Sequence, residues 1–125
     1  MLFEDKLNFQ TVFTETPRGA AFINKLPGAG ELAEYRGDWS RKGYCRVAFL
    51  QSTKGTGNVL LISGTDVASS EAGSEFVTSE GAIRKLRDQL GASRDEALPH
   101  FEVLLETQLV NNTVSQYKLV SVRRK

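Results

Sequence analysis

Hydrophobic periodicity changes twice along this chain, and those changes restrict its fold more than any motif does. Up to residue 63 the apolar side chains alternate or run together; between 67 and 90 they recur every three or four positions; from 101 onward they alternate again. A period of two belongs to strands, and a period near 3.6 to helices with one buried face. The expected class is therefore α/β or α+β. It should contain a mixed, largely antiparallel sheet of about six strands, with two consecutive helices (about 66–77 and 80–90) as a crossover.

The pieces can be placed from their punctuation. Leu7, Phe9, Thr11 and Phe13 share one face of a first strand, and the turn at Pro17, Arg18 and Gly19 leads into a second at 20–24. Residues 26–42 carry Pro27, Gly28, Gly30 and Gly37 and read as a long irregular connection, with Tyr35 and Trp39 tucked against the body. Residues 44–51 (YCRVAFLQ) and 58–63 (NVLLIS) are strands joined by a glycine-bearing hairpin loop. The second of these is a continuous apolar run, as expected of a central strand covered on both faces.

Val67, Ala68, Ala72, Phe76 and Val77 then mark a first helix, in which Gly73 is an unfavourable residue. Ile83, Leu86 and Leu90 mark a second, entered through Thr78 and Ser79 and closed by Gly91. Two further strands follow, at 101–110 and around Tyr117 to Val122, turned by Asn111 and Asn112. A crossover of two helices should leave the strands on either side of it parallel within one sheet.

A length of 125 residues suits a single domain spanning 1–125, large enough to bury about two thirds of its unfolded surface. Sixteen basic against fifteen acidic residues leave a net charge of +1, without the basic excess of a dedicated nucleic-acid binder. Cys45 is the one cysteine, so neither an internal disulfide nor a cysteine zinc cluster can form. No apolar run reaches the ~18 residues of a membrane span. A cytoplasmic location is the expectation, with no cofactor and no metal.

Candidate chemistry is sparse. Ser63, Gly64, Thr65 and Asp66 lie where a strand meets a helix, and backbone N–H groups converging there can hold an anion. The competing reading is that Gly64 makes the turn while Thr65 or Asp66 caps the helix. Tyr35 and Trp39 flank a glycine-rich connection and could line a pocket. The speculative ligand-binding set is thus Gly64, Thr65, Asp66, Tyr35 and Trp39, with no catalytic residue assigned. Residues 54–58 lack the Gly-Lys-Ser/Thr ending and the following helix of a phosphate loop. His100, the one histidine, should lie at the opposite strand end from Gly64, too far to cooperate with it. Cys45 reads as a small buried hydrophobe.

Several stretches taken together resemble a known family. They are Leu2, Phe3 and Glu4 with Leu7 to Gln10; Gly30, Glu31 and Leu32 with Glu34, Tyr35, Arg36, Asp38 and Trp39; Gly55 to Leu60; Gly64 and Thr65 with Glu71, Ala72, Glu75 and Phe76; and Pro99 to Leu105. The pattern is similar to the C-terminal domain of a family of uncharacterised bacterial proteins, often preceded by a winged-helix, regulator-like region or a membrane segment. That resemblance implies no activity. It implies the C-terminal part of a longer protein with an exposed sheet edge, through which a homodimer would form. The expected function is a non-catalytic module of a regulatory protein that binds a small ligand or a protein partner. The alternatives are a small enzyme acting on an anionic or phosphorylated substrate, and a nucleic-acid-binding accessory domain using Arg41, Lys42, Arg46 and the basic tail.

Overall fold

A computed structural model describes residues 6–15, 18–38, 41–52, 56–93 and 95–125. Among them are seven strands and two helices, in the order β1 (Phe9–Glu15), β2 (Arg18–Asn24), β3 (Glu34–Arg36), β4 (Lys42–Gln51), β5 (Asn58–Gly64), α1 (Val67–Thr78), α2 (Glu80–Leu90), β6 (Phe101–Val110) and β7 (Thr113–Arg124). The mixed α+β class, the antiparallel pairing and the two-helix crossover are those that the periodicity predicts. The strands are divided between two sheets, β1-β2-β3 and β5-β4-β6-β7.

The four-stranded sheet is the middle layer. On one face Cys45, Val47, Phe101, Val103 and Leu105 pack against Phe76 of α1 and Leu86 and Leu90 of α2. On the other, Tyr44, Leu104 and Val120 meet Phe9, Phe22 and Tyr35 of the three-stranded sheet. Both faces of β4 and β6 are covered, and both strands accordingly place apolar residues on each face. β5 and β6 are each antiparallel to β4, which lies between them, so they run parallel to one another, as a crossover requires.

Two local expectations are corrected. The connection at 26–42 contains β3, which pairs with β2 through Phe22 and Tyr35. Three residues with Tyr35 inward and Glu34 and Arg36 outward are too short to show a period. Second, β5 is an edge strand rather than a central one. Its apolar run reflects cover above and below: Ile62 packs toward the helices, and Leu61 against Leu7, Ala48 and Leu50. Its flank is open.

The helices begin and end on side chains the sequence marks. Asp66 caps α1 by accepting from the Ser69 N–H at 2.7 Å. Ser79 serves both helices: its N–H donates to the Phe76 carbonyl, and its hydroxyl accepts from the Ala82 N–H. Gly73 is present because α1 lies directly on the sheet there. A Cβ at that position would stand 2.5 Å from Cys45 Sγ and 2.8 Å from Ile62 Cγ2.

Gly73→Ala should therefore destabilise the domain although alanine is the better helix former. Overpacking costs about 1–3 kcal/mol and the gain in propensity is at most ~1 kcal/mol. Urea unfolding checks this. A more stable variant would contradict the close approach, whereas Cys45→Ala added to Gly73→Ala should recover part of the loss.

Candidate functional site

The turn from β5 into α1 is an intact polar cluster whose donors are already engaged. Asp66 Oδ1 accepts the Ser69 N–H, and Oδ2 accepts from the Ser69 hydroxyl at 2.9 Å and the Thr65 hydroxyl at 3.2 Å. Thr65 Oγ1 in turn accepts from the Tyr44 N–H, and the Thr65 N–H donates to the Tyr44 carbonyl. Ser69 Oγ lies 2.7 Å from Thr107 Oγ1, which also accepts from the Gly43 N–H. The main chain can pass this close only at glycine, since a Cβ on Gly43 would fall 2.2 Å from Ser69 Oγ. The carboxylate of Asp66 thus occupies the helix N-terminus and takes up the Ser69 amide. The cleft beside it, lined by Gly19, Ala20, Gly37, Asp38, Lys42, Thr65 and Asp66, has about 40 Å³ of space. That admits a water or two, far short of the roughly 300 Å³ at which small-molecule pockets begin.

Tyr35 is a core residue. Its ring meets Phe9 and Tyr44 edge-on at 6.2 and 5.3 Å, and its hydroxyl accepts from the Leu32 N–H. Trp39 lies outside the described residues. His100 sits at the start of β6, where its Nε2 is 2.7 Å from Asn58 Oδ1 and its ring rests 5.2 Å from Phe49. It therefore braces the beginning of β5, and Gly64 ends that strand. The imidazole and the Asp66 cluster lie at opposite ends of β5, as the topology predicts. Burial pushes the Cys45 thiol up to about 12, the behaviour of an apolar core residue rather than a nucleophile.

The charged side chains that sequence reasoning missed lie between the two sheets. Glu102, fully buried in the middle layer, accepts from the Asn8 and Phe9 N–H groups at 2.7 Å each and pairs with Lys125 at 3.0 Å. Arg46, also buried, donates to the Phe9 carbonyl at 2.7 Å and to the Ser63 hydroxyl, its guanidinium 5.7 Å from the Phe22 ring. Arg123 bonds to Glu31 at 2.6 Å and lies 4.8 Å from the Phe9 ring. From the sequence, Arg46 and the basic tail are candidates for phosphate contact. In the fold Arg46 and Arg123 hold the sheets together, and Arg124 donates to the Leu90 carbonyl that ends α2. The available signal was a charge set alone in an apolar strand, Arg46 in YCRVAF and Glu102 in FEVLL, since such a charge must find a partner.

Among the described residues, no strand pairs with the outer flank of β5. Two of the other sheet edges, β3 and β7, are guarded in the ways natural sheets guard them. β3 is three residues long and carries an exposed Glu34–Arg36 ion pair. β7 carries Lys118, Arg123 and Arg124, and its pairing with β6 is interrupted twice. β1 is held only at its first residue, where the Phe9 N–H donates to Glu102 and its carbonyl accepts from Arg46, and further along Phe13 is 76% exposed. β5, with the sequence NVLLISG, has no charge, no proline and no break in register, and Leu60 is 46% exposed. No family model, curated protein or solved structure matches this chain. No helix among the described residues is long and apolar enough to cross a membrane.

The inter-sheet network carries an acid-sensitive contribution. Burial raises the Glu31 carboxyl, but hydrogen bonds from Gly28, Arg123, Asn24 and Ser121 outweigh it and bring it from 4.5 down to about 2. Because folding depresses this group, its stabilisation is present above pH 4.5 and lost as the pH falls toward 2. Glu31→Gln should be less stable at pH 7, and its urea-unfolding free energy should fall less steeply between pH 5 and 2 than that of the parent. Parallel pH profiles for the two proteins would contradict this assignment.

Proposed function

We propose that this chain is a non-catalytic protein-binding module of a larger regulatory protein, and that β5 is the strand by which it binds. The observation that carries this reading is the combination at β5 of an open flank, an uncharged apolar sequence and a side chain exposed at its centre. An extended segment laid along such an edge gains main-chain hydrogen bonds, and alternate side chains give it selectivity. The surroundings favour strand addition as well. α1 covers one face of β5 and Leu7 lies beneath Leu61 on the other, so the edge is held rigid and the incoming segment alone would have to order. The polar groups with chemical capacity are engaged in holding the fold: Asp66 in its cap, His100 with Asn58, and Glu102 with the Asn8 and Phe9 amides.

Selection of a random peptide library on the immobilised protein tests the reading. Enriched peptides should be extended, apolar at alternate positions and free of charge at their centre. They should lose at least tenfold in affinity for Leu60→Lys, a substitution at a half-exposed position that leaves the melting temperature near that of the parent. Binders indifferent to Leu60→Lys, or no enrichment at all, would overturn β5 as the binding strand.

A further inference from the structure

We infer that the partner for β5 is a second copy of this chain, paired antiparallel about a two-fold axis at Leu61. This rests on reading β5 as the interaction edge and adds to it the occupant and the register.

The backbone fixes which groups are available. At one end the Thr65 N–H donates inward to the Tyr44 carbonyl, and at the other the Ser52 N–H donates to the Gly57 carbonyl. With the register of β4 and β5, this places the main-chain groups of Val59, Leu61 and Ser63 toward β4 and those of Asn58, Leu60, Ile62 and Gly64 outward. Two such edges turned antiparallel about Leu61 set Asn58 of one copy against Gly64 of the other, and Leu60 against Ile62. Every outward N–H in the strand then meets a carbonyl. The two four-stranded sheets become one continuous sheet across the axis.

Charge and shape favour identity between the partners. A two-fold axis brings equivalent positions of both copies close together, so a charged edge repels its own copy. β7, with Lys118, Arg123 and Arg124, would meet that penalty; β5 has no charge to oppose. On the helix side the pairing buries Leu60 against Ile62 in both directions. Above them, Gly73 of α1 stands over Ile62 and Ser70 over Gly64. Helical spacing then turns Ser70, Ser74 and Val67 toward the open flank, with Ser74 and Val67 exposed. These are small or apolar and uncharged, so two α1 helices can approach across the axis. On the opposite face Val59 and Leu61 continue the apolar surface. A partner that is apolar on both faces, uncharged and matched in length is what β5 itself supplies.

Sedimentation equilibrium at rising concentration should show a species of twice the 13.8 kDa chain mass. Leu60→Lys should weaken that association at least tenfold with an unchanged circular dichroism spectrum. A second pair of variants reads the register. Across the new interface Leu61 faces Leu61 in a non-hydrogen-bonded pair, with Cα atoms about 4.5 Å apart, within the span a disulfide can bridge. Val59 instead faces Ser63, roughly 13 Å from its own equivalent. Under mild oxidation Leu61→Cys should form a covalent dimer at least tenfold faster than Val59→Cys, Cys45 remaining buried in both. A chain that stays monomeric at its highest workable concentration, a dimer indifferent to Leu60→Lys, or equal cross-linking of the two cysteine variants would each overturn the proposal. Peptides that bind β5 of a strictly monomeric chain would remove self-pairing alone. The absence of both would remove β5 as an interaction edge.

Discussion

Two-sided burial of the four-stranded sheet is the constraint on which the rest of the molecule depends. Helices cover one face of it and the three-stranded sheet covers the other. A middle layer of this kind has no face left for a ligand or a partner, and contact with another molecule at that layer is confined to its margins. It also brings main-chain ends and polar side chains into a dry interior, where each must be matched. Glu102 meets that requirement for the entry to β1, Arg46 for the Phe9 carbonyl, and the Glu31–Arg123 pair for the connection between β2 and β3. Buried charges of this sort contribute little net stability compared with apolar replacements, but removing one partner is costly. They fix how the two sheets sit on each other.

The same constraint explains why polar residues that look chemically suggestive are occupied. Asp66 looks like the mark of an anion site, but its carboxylate takes the Ser69 amide of its own helix and is tied through the Ser69 hydroxyl to Thr107 in β6. His100 lies next to a surface but spends its Nε2 on Asn58, which steadies the first residue of β5. Both groups bear on β5, one at each end. The strand with the open flank is thus the one whose ends are pinned by side chains from other elements.

Much of this fold was legible in the sequence because its signals were local. Helix limits followed from Asp66, Ser79 and Gly91, and the last hairpin from Asn111 and Asn112, both of which adopt positive φ. The antiparallel pairing of β4 with β5 followed from a short glycine-bearing loop. What was not legible depended on contacts between distant residues. β3 is recognisable only through Tyr35 pairing across to Phe22. The division into two sheets is decided by which aromatic rings meet, not by period. β5 read as central because Ile62 and Leu61 are each covered, and no pattern within six residues reveals whether a neighbouring strand lies alongside. Of the candidate site, the cap was readable as Thr65 or Asp66 from their place before the helix, whereas the choice of Asp66 and the roles of Tyr35 and His100 needed the fold.

The most direct measurement of the central claim is amide hydrogen exchange resolved by residue across β5 as the protein concentration is raised. The outward amides of Leu60 and Ile62 should exchange quickly when dilute and become progressively protected, while those of Val59, Leu61 and Ser63, already bonded to β4, stay slow throughout. Exchange at Leu60 and Ile62 that is independent of concentration, or protection that grows along β1, β3 or β7 instead, would contradict a molecule that meets its partner through this edge.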